Sequence, residues 1–235
     1  MKILALDSTA QVATVALCED ERLLGELTLN NGNTHSETIL PMVESLLKIL
    51  SLTIDEIDAF AVSEGPGSFT GVRIGVSTVK GLAFDTQKPC VGVSTLEALA
   101  KNPAIPTGLI CPVMNARRNQ VYTALFRAEN GALTRLMPDS AIAISELDEI
   151  LSQYDEPVVL TGDGYQITKD LLTHATVELP DRLRHQSACN VALCAFEAIA
   201  RGDVETDTEL APTYLRLSQA ERERNERQAK QNDYV

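Results

Sequence analysis

The chain has 235 residues, a formal net charge of −13, 44% hydrophobic residues, only 4% aromatics and no tryptophan. That length holds one large domain or two small ones, with a core built mainly from Leu, Val, Ile and Ala. The acidic balance argues against tight direct binding of a nucleic-acid backbone, which needs a basic face, but leaves room for a partner that supplies one.

The five cysteines, Cys18, Cys90, Cys111, Cys189 and Cys194, sit in apolar runs without a CxxC pair. An odd total in such settings reads as reduced, buried thiols of a cytosolic protein. The apolar run in MKILALDSTA stops at Asp7, too short for a signal-peptide core. No run approaches the roughly 18 apolar residues of a membrane span. The expectation is a soluble, cytoplasmic protein.

In chain order, Lys2 to Asp7 reads as a buried strand, Gln11 to Cys18 as a second and Arg22 to Leu29 as a third, forming an antiparallel meander. A loop, NNGNT, precedes a helix over His35 to Leu50. Its stripe comprises Ile39, Leu40, Val43, Leu46, Leu47 and Leu50, and Met42 and Ile49 widen it. Ile57 to Val62 reads as a strand. It leads into EGPGSFTGVRIG, residues 64–75, where Gly65, Gly67 and Gly71 crowd a turn before a helix over Gly71 to Phe84. Val72, Val76, Val79 and Ala83 form that helix's inner face; Ile74, Ser77, Thr78 and Gly81 lie opposite. These two helices carry more apolar surface than one sheet face needs. That points to a subunit interface, unless the second half of the chain covers it.

After a strand over Pro89 to Val93 and a helix over Ser94 to Lys101, the order begins again beyond a Pro- and Gly-containing linker. Strands fit Leu109 to Met114, Gln120 to Arg127 and Ala132 to Met137. A helix over Ser145 to Tyr154 has Ser145 as its cap, and a strand over Pro157 to Thr161 ends in Gly162, Asp163 and Gly164. A helix over Tyr165 to His174, a strand over Thr176 to Leu179 and a long helix over Ser187 to Arg201 complete it. The fold class is α/β, with a βββαβα order used twice. The domains are residues 1–104, residues 105–217, and a polar tail over 218–235 read as frayed or disordered.

Strand, glycine-rich turn and helix can present backbone N–H groups to an anion. The same glycines can simply let helix and strand pack closely. No Lys follows the last glycine, so residues 64–75 are not a Walker A loop. Ser68 and Thr70 either cap the helix or bind an anion. Asp7, Ser8 and Thr9 suit a metal-phosphate site and equally a hydrogen-bonded turn. Gly162, Asp163 and Gly164 are a second candidate phosphate turn. Asp7, Glu37 and Glu64 resemble in placement the two-metal cluster of ribonuclease-H-like nucleases. His35, His174 and His185 have no metal-ligand spacing.

A βββαβα unit used twice resembles the actin, sugar kinase and heat-shock ATPase superfamily. Within it, KILALDSTA, THSETILPMV, EGPGSFTGVRIG and the APTYLR segment at 211–216 together resemble the TsaB (YeaZ) family, over nearly all of the chain except the polar tail. The resemblance implies a part in making threonylcarbamoyladenosine, the modified residue that follows the anticodon in tRNAs reading codons that begin with A. In that machinery TsaC makes threonylcarbamoyl-adenylate, TsaD transfers the threonylcarbamoyl group to tRNA, and TsaE is a supporting ATPase. TsaB is the non-catalytic partner that binds TsaD. TsaD carries a metal-binding HxxxH-type motif after a comparable strand; here that strand is followed by Ser94, Thr95, Leu96 and Glu97. The implied chain has no catalytic residue, no metal and no tightly bound cofactor. A nucleotide enters only at the complex with TsaD and TsaE, and tRNA is met through that complex. The expected contact residues are His35, Ile39, Met42, Val43, Leu46, Ile74, Thr78 and Gly81, with Arg73 at the rim. The same surface makes a homodimer when the chain is alone. The glycine turns with Asp7, Ser8 and Thr9 are then vestiges of a nucleotide site. An ATP-dependent small-molecule kinase of the same superfamily is the alternative; it needs Asp7 and the 162–164 turn to hold Mg-ATP.

Overall fold

The computed structural model describes residues 1–216, so the expectation for the polar tail lies outside the described residues. The first lobe runs β1 (Lys2–Asp7), β2 (Ala13–Glu19), β3 (Arg22–Leu29), α1 (His35–Leu50), β4 (Ala59–Gly65), α2 (Phe69–Ala83), β5 (Cys90–Ser94) and α3 (Thr95–Ala100). Its sheet has the order β3-β2-β1-β4-β5, antiparallel through the meander and parallel from β1 to β5. The second lobe runs β6 (Thr107–Asn115), β7 (Gln120–Glu129), β8 (Ala132–Ala143), α4 (Ile144–Leu151), β9 (Val158–Thr161), α5 (Tyr165–Leu171) and β10 (Thr176–Val177). Its sheet order, β10-β9-β6-β7-β8, is the same arrangement over again. The expected pair of βββαβα lobes is therefore what the chain forms.

Strand β1 is apolar at consecutive positions because both faces of its sheet are covered. Leu4 and Leu6 join the core under α1 and α2. Ile3 and Ala5 face the opposite side, under α6 (Ala188–Arg201). Helix α3 packs against strands of both sheets and against α6. A layer made by α3 and α6 thus joins the lobes, while α1 and α2 form an outer layer on the first sheet.

Several expectations need correction. Ile39, Met42, Val43 and Leu46 are buried in the sheet-facing core, so they are not outward contact residues. The outward apolar side chains of α1 are Leu40 and Ile49. On α2, Val72, Val76, Val79 and Ala83 do face inward, and Ile74, Thr78 and Gly81 lie on the other side. Strand β4 starts at Ala59, after a one-turn helix at Ile54–Glu56 held by a Thr53–Glu56 capping box. Helix α4 begins one residue before Ser145; Ala143 is its cap position and no side chain caps it. Strand β8 extends to Ala143 rather than Met137.

The boundary at residue 105 also fails to separate the contacts. Helix α6 packs on the first sheet, Glu205 exchanges backbone hydrogen bonds with Cys90 at 2.8 and 2.9 Å, and Leu210 is fully buried in the first lobe's core. The chain leaves the first lobe after α3 and returns to complete it.

Candidate functional site

The ends of β1 and β4, the start of α2, the ends of β6 and β9 and the segment at 213–216 surround an interlobe cleft of about 790 Å³. Asp7, at the end of β1 and two residues before the lining residue Thr9, is fully buried. Its Oδ1 accepts hydrogen bonds from the Thr9 N–H at 2.8 Å and the Thr9 hydroxyl at 2.7 Å, and its Oδ2 accepts one from the Ser63 hydroxyl. Burial pushes the Asp7 carboxyl up, against the opposing pull of these donors. The Ser8 hydroxyl donates to the Gly71 carbonyl at 2.8 Å. The trio Asp7, Ser8 and Thr9 is thus a closed hydrogen-bonded turn.

The glycine turn is similarly self-contained. Ser68 caps α2 by accepting from the Gly71 N–H at 3.3 Å, and its own N–H donates to the Thr9 carbonyl at 2.7 Å. A Cβ on Gly71 would run into the Ser8 carbonyl, whose carbon lies 3.2 Å from that position. Glycine is therefore required here for close packing. Gly65 and Gly67 flank Pro66, and Thr70 is exposed toward the cleft. In the second turn, Gly162 donates its N–H to the Arg184 carbonyl at 2.8 Å, and Gly164 donates to the Val113 carbonyl at 3.0 Å. Gly162 adopts φ +103°, and the Val113 carbonyl fills the place of a side chain. Asp163 is exposed on the cleft wall, yet the surrounding protein raises its carboxyl; its Oδ1 accepts from the Asn115 N–H at 3.3 Å.

Of the nuclease-like trio, Glu37 is exposed at the start of α1. Glu64 instead turns to Thr213, whose hydroxyl donates to it at 3.0 Å. Among the described residues no three His, Cys, Asp or Glu side chains gather as a metal-holding group. The acidic cluster that the sequence placement suggests is not assembled. Both Asp7 oxygens accept hydrogen bonds from the chain, and two N–H groups of the 162–164 turn, where the kinase alternative would hold Mg-ATP, donate to carbonyls of the chain itself.

Two residues of the expected interface have partners within the chain. The His35 ring donates through Nε2 to the Ala10 carbonyl at 2.7 Å, turning it toward the β1–β2 connection. Arg73 is exposed and is held in place by aromatic neighbours. Its guanidinium lies 4.0 Å from the Phe69 ring centre, and its Nε donates to the Tyr214 hydroxyl at 2.9 Å. Phe69 and Tyr214 stack with ring centres 4.4 Å apart. Lys80 donates to the carbonyls of Thr208 and Leu210 at 3.1 and 2.9 Å, and Arg216 reaches across to the Ala116 carbonyl at 2.7 Å. The returning segment is thus clamped along α2 and forms one wall of the cleft. APTYLR stands out in the sequence, but nothing in it says that Tyr214 and Arg216 close this wall.

Paired lobes of one topology around a cleft are the architecture of the actin, sugar kinase and heat-shock ATPase superfamily. Residues 29–223 match the family described as TsaD, tRNA N6-adenosine threonylcarbamoyltransferase. The tRNA threonylcarbamoyladenosine biosynthesis protein TsaB of Bacillus subtilis (strain 168) is 33% identical, with 94% of this chain and 96% of the relative covered. TsaB of Escherichia coli (strain K12) is 31% identical over 92% of this chain and 95% of its own. Solved YeaZ from Pseudomonas aeruginosa superposes with a TM-score of 0.80 at 28% identity, covering 91% of this chain and 99% of that one. The chain belongs to the TsaB family, built on the TsaD-type domain. Among the described residues no helix is long and apolar enough to cross a membrane.

Proposed function

We propose that this chain is the non-catalytic subunit that binds and supports TsaD in forming threonylcarbamoyladenosine on tRNA, in the cytoplasm. The observation that carries this reading is the spent chemistry of the cleft. The carboxylate and glycine turns that would serve a nucleotide bond to the protein itself. Membership of the TsaB family supplies the pathway. TsaD docks on the outward side of α1 and α2, where Leu40, Ile49 and Phe84 are exposed beside Ile74, Thr78 and Gly81. A second copy of the chain competes for that side when TsaD is absent. TsaE joins the larger complex, and a nucleotide binds only there. No cofactor is held tightly by this chain, and tRNA is met through TsaD.

Reconstituted tRNA modification tests the proposal. Threonylcarbamoyladenosine should form when TsaC, TsaD, TsaE and this chain are combined. It should drop at least tenfold without the chain, and the chain with tRNA and threonylcarbamoyl-adenylate should yield none. Full modification without the chain would refute the support role. Modification by the chain alone would refute the non-catalytic one.

A further inference from the structure

Cys18 on β2 and Cys189 on α6 are 171 residues apart in sequence, yet their sulfurs lie 3.9 Å apart. Cys18 is fully buried, whereas Cys189 is only half-buried. Cys189 occupies the second position of a 14-residue helix capped by Ser187. A helix start favours the negative charge of a thiolate. The Cys18 thiol donates to the Cys189 sulfur, which adds to that preference. Glu26 opposes it: its Oε1 accepts from the Cys189 N–H at 3.1 Å and from the Ser187 hydroxyl at 2.9 Å, placing a carboxylate nearby. The Cys18 bond outweighs burial and Glu26, and the Cys189 thiol is lowered from its ordinary value. Cys18 is pushed up by the same bond and by burial.

The other thiols differ. Cys111 and Cys194 are buried, and burial pushes each up to about 12; Cys90 is pushed up to about 11. At neutral pH they hold almost no thiolate, the form that reacts.

We propose that Cys18 and Cys189 form a peroxide-responsive dithiol pair, with Cys189 the attacking residue and Cys18 the resolving one. The Cys189 thiolate attacks one oxygen of a hydroperoxide, an S–O bond forms and the O–O bond breaks. The products are a sulfenic acid and hydroxide, or alkoxide from an organic peroxide, which takes up the proton that Cys189 released. Cys18 then loses its proton and attacks the Cys189 sulfur. The S–S bond forms, the S–O bond breaks, and the departing hydroxide takes that proton as water. Two thiols are oxidised by two electrons in all, and one peroxide is reduced. The bond ties the first sheet to the helix returning from the second lobe. The sulfurs must close from 3.9 Å to about 2.05 Å.

The test treats the reduced full-length chain with hydrogen peroxide at neutral pH, followed by alkylation and peptide mapping. The expected product is an intramolecular Cys18–Cys189 peptide, reversed by dithiothreitol. Cys90, Cys111 and Cys194 should react at least about tenfold more slowly, in line with their thiolate content. In Cys18→Ser, Cys189 should accumulate as a sulfenic acid captured by dimedone; Cys18→Ala serves the same purpose should the serine variant fold poorly. In Cys189→Ser, Cys18 should stay reduced. Failure to form the Cys18–Cys189 peptide, whether Cys189 remains a thiol, is overoxidised or crosslinks between chains, would overturn the pairing. Equal reactivity of the other thiols would overturn its selectivity.

Discussion

Ser8 and Gly71 hold one another in both directions. The Ser8 hydroxyl donates to the Gly71 carbonyl at 2.8 Å, and the Ser8 carbonyl fills the space that a Gly71 side chain would need. A methyl group on Gly71 would force β1 and α2 apart at a contact between backbones. Gly71→Ala is expected to cost about 1–3 kcal/mol, the usual range for overpacking a close contact, measured by urea unfolding. Gly32→Ala is a poor control because its φ is +76°; Gly81→Ala, with no neighbour within 4 Å of its Cβ position, should be neutral or stabilising.

The two sides of the α1–α2 layer should separate fold from partnership. Gly81→Arg should leave the chain folded, because that position opens to solvent, yet lower TsaD binding at least tenfold by placing a charge in an apolar contact. Leu46→Ala should do the reverse. It opens a hole under α1, where Leu46 is 2% exposed, and should cost about 2–5 kcal/mol. Thermal unfolding alongside calorimetric titration with TsaD distinguishes the two outcomes.

Asp7 gives a pH dependence with a defined sign. Burial raises its folded-state pKa above the ordinary aspartate value of about 3.9. Between those values the native chain holds a proton that the unfolded chain has released. The contribution to stability is fully present below the ordinary value and is lost as pH rises through the raised one. The wild-type stability profile minus that of Asp7→Asn should therefore fall with pH in this window, with a slope of up to about 1.4 kcal/mol per pH unit. Urea titrations from pH 4 upward (about the unfolded aspartate value) read it. A difference curve that rises with pH would contradict the assignment.

Leu210 lies far along the chain but is buried among first-lobe residues. Leu210→Ala is expected to cost about 2–5 kcal/mol. Tyr214→Ala, which removes the stack on Phe69 and the bond from Arg73, should cost less, about 0.5–1.5 kcal/mol. Both follow from chemical denaturation, and Leu210→Ala should show the larger shift in midpoint.

The repeated lobe topology could be read from the sequence because short apolar runs bounded by turn residues mark the strands, such as β1 and β9, and helical spacing marks the helices. The inner face of α2 was legible for the same reason, through Val72, Val76, Val79 and Ala83. On α1 the apolar arc is wide, and periodicity gives its width but not its centre. Met42 turned out buried and Leu40 exposed because the position of β2 and β3 fixes which part of the arc faces inward. Helix α6 reads as an apolar helix, but its composition does not say which sheet it covers. At the cleft, the closeness of Ser8 to Gly71 and the clamp of Arg73 on Tyr214 depend on contacts between distant segments. No local pattern reports them.

The returning segment bears on the order of events during synthesis. The first sheet is made early, but the part of one face that α3 does not cover stays bare until α6 emerges, and Leu210 reaches its place later still. A ribosome must therefore deliver the whole second lobe before the first can close. A nascent chain halted at residue 104 would present the unclothed side of β1 and β2 to solvent and to chaperones. In chain order the strands of the second lobe are thus all made before the segment that closes the first.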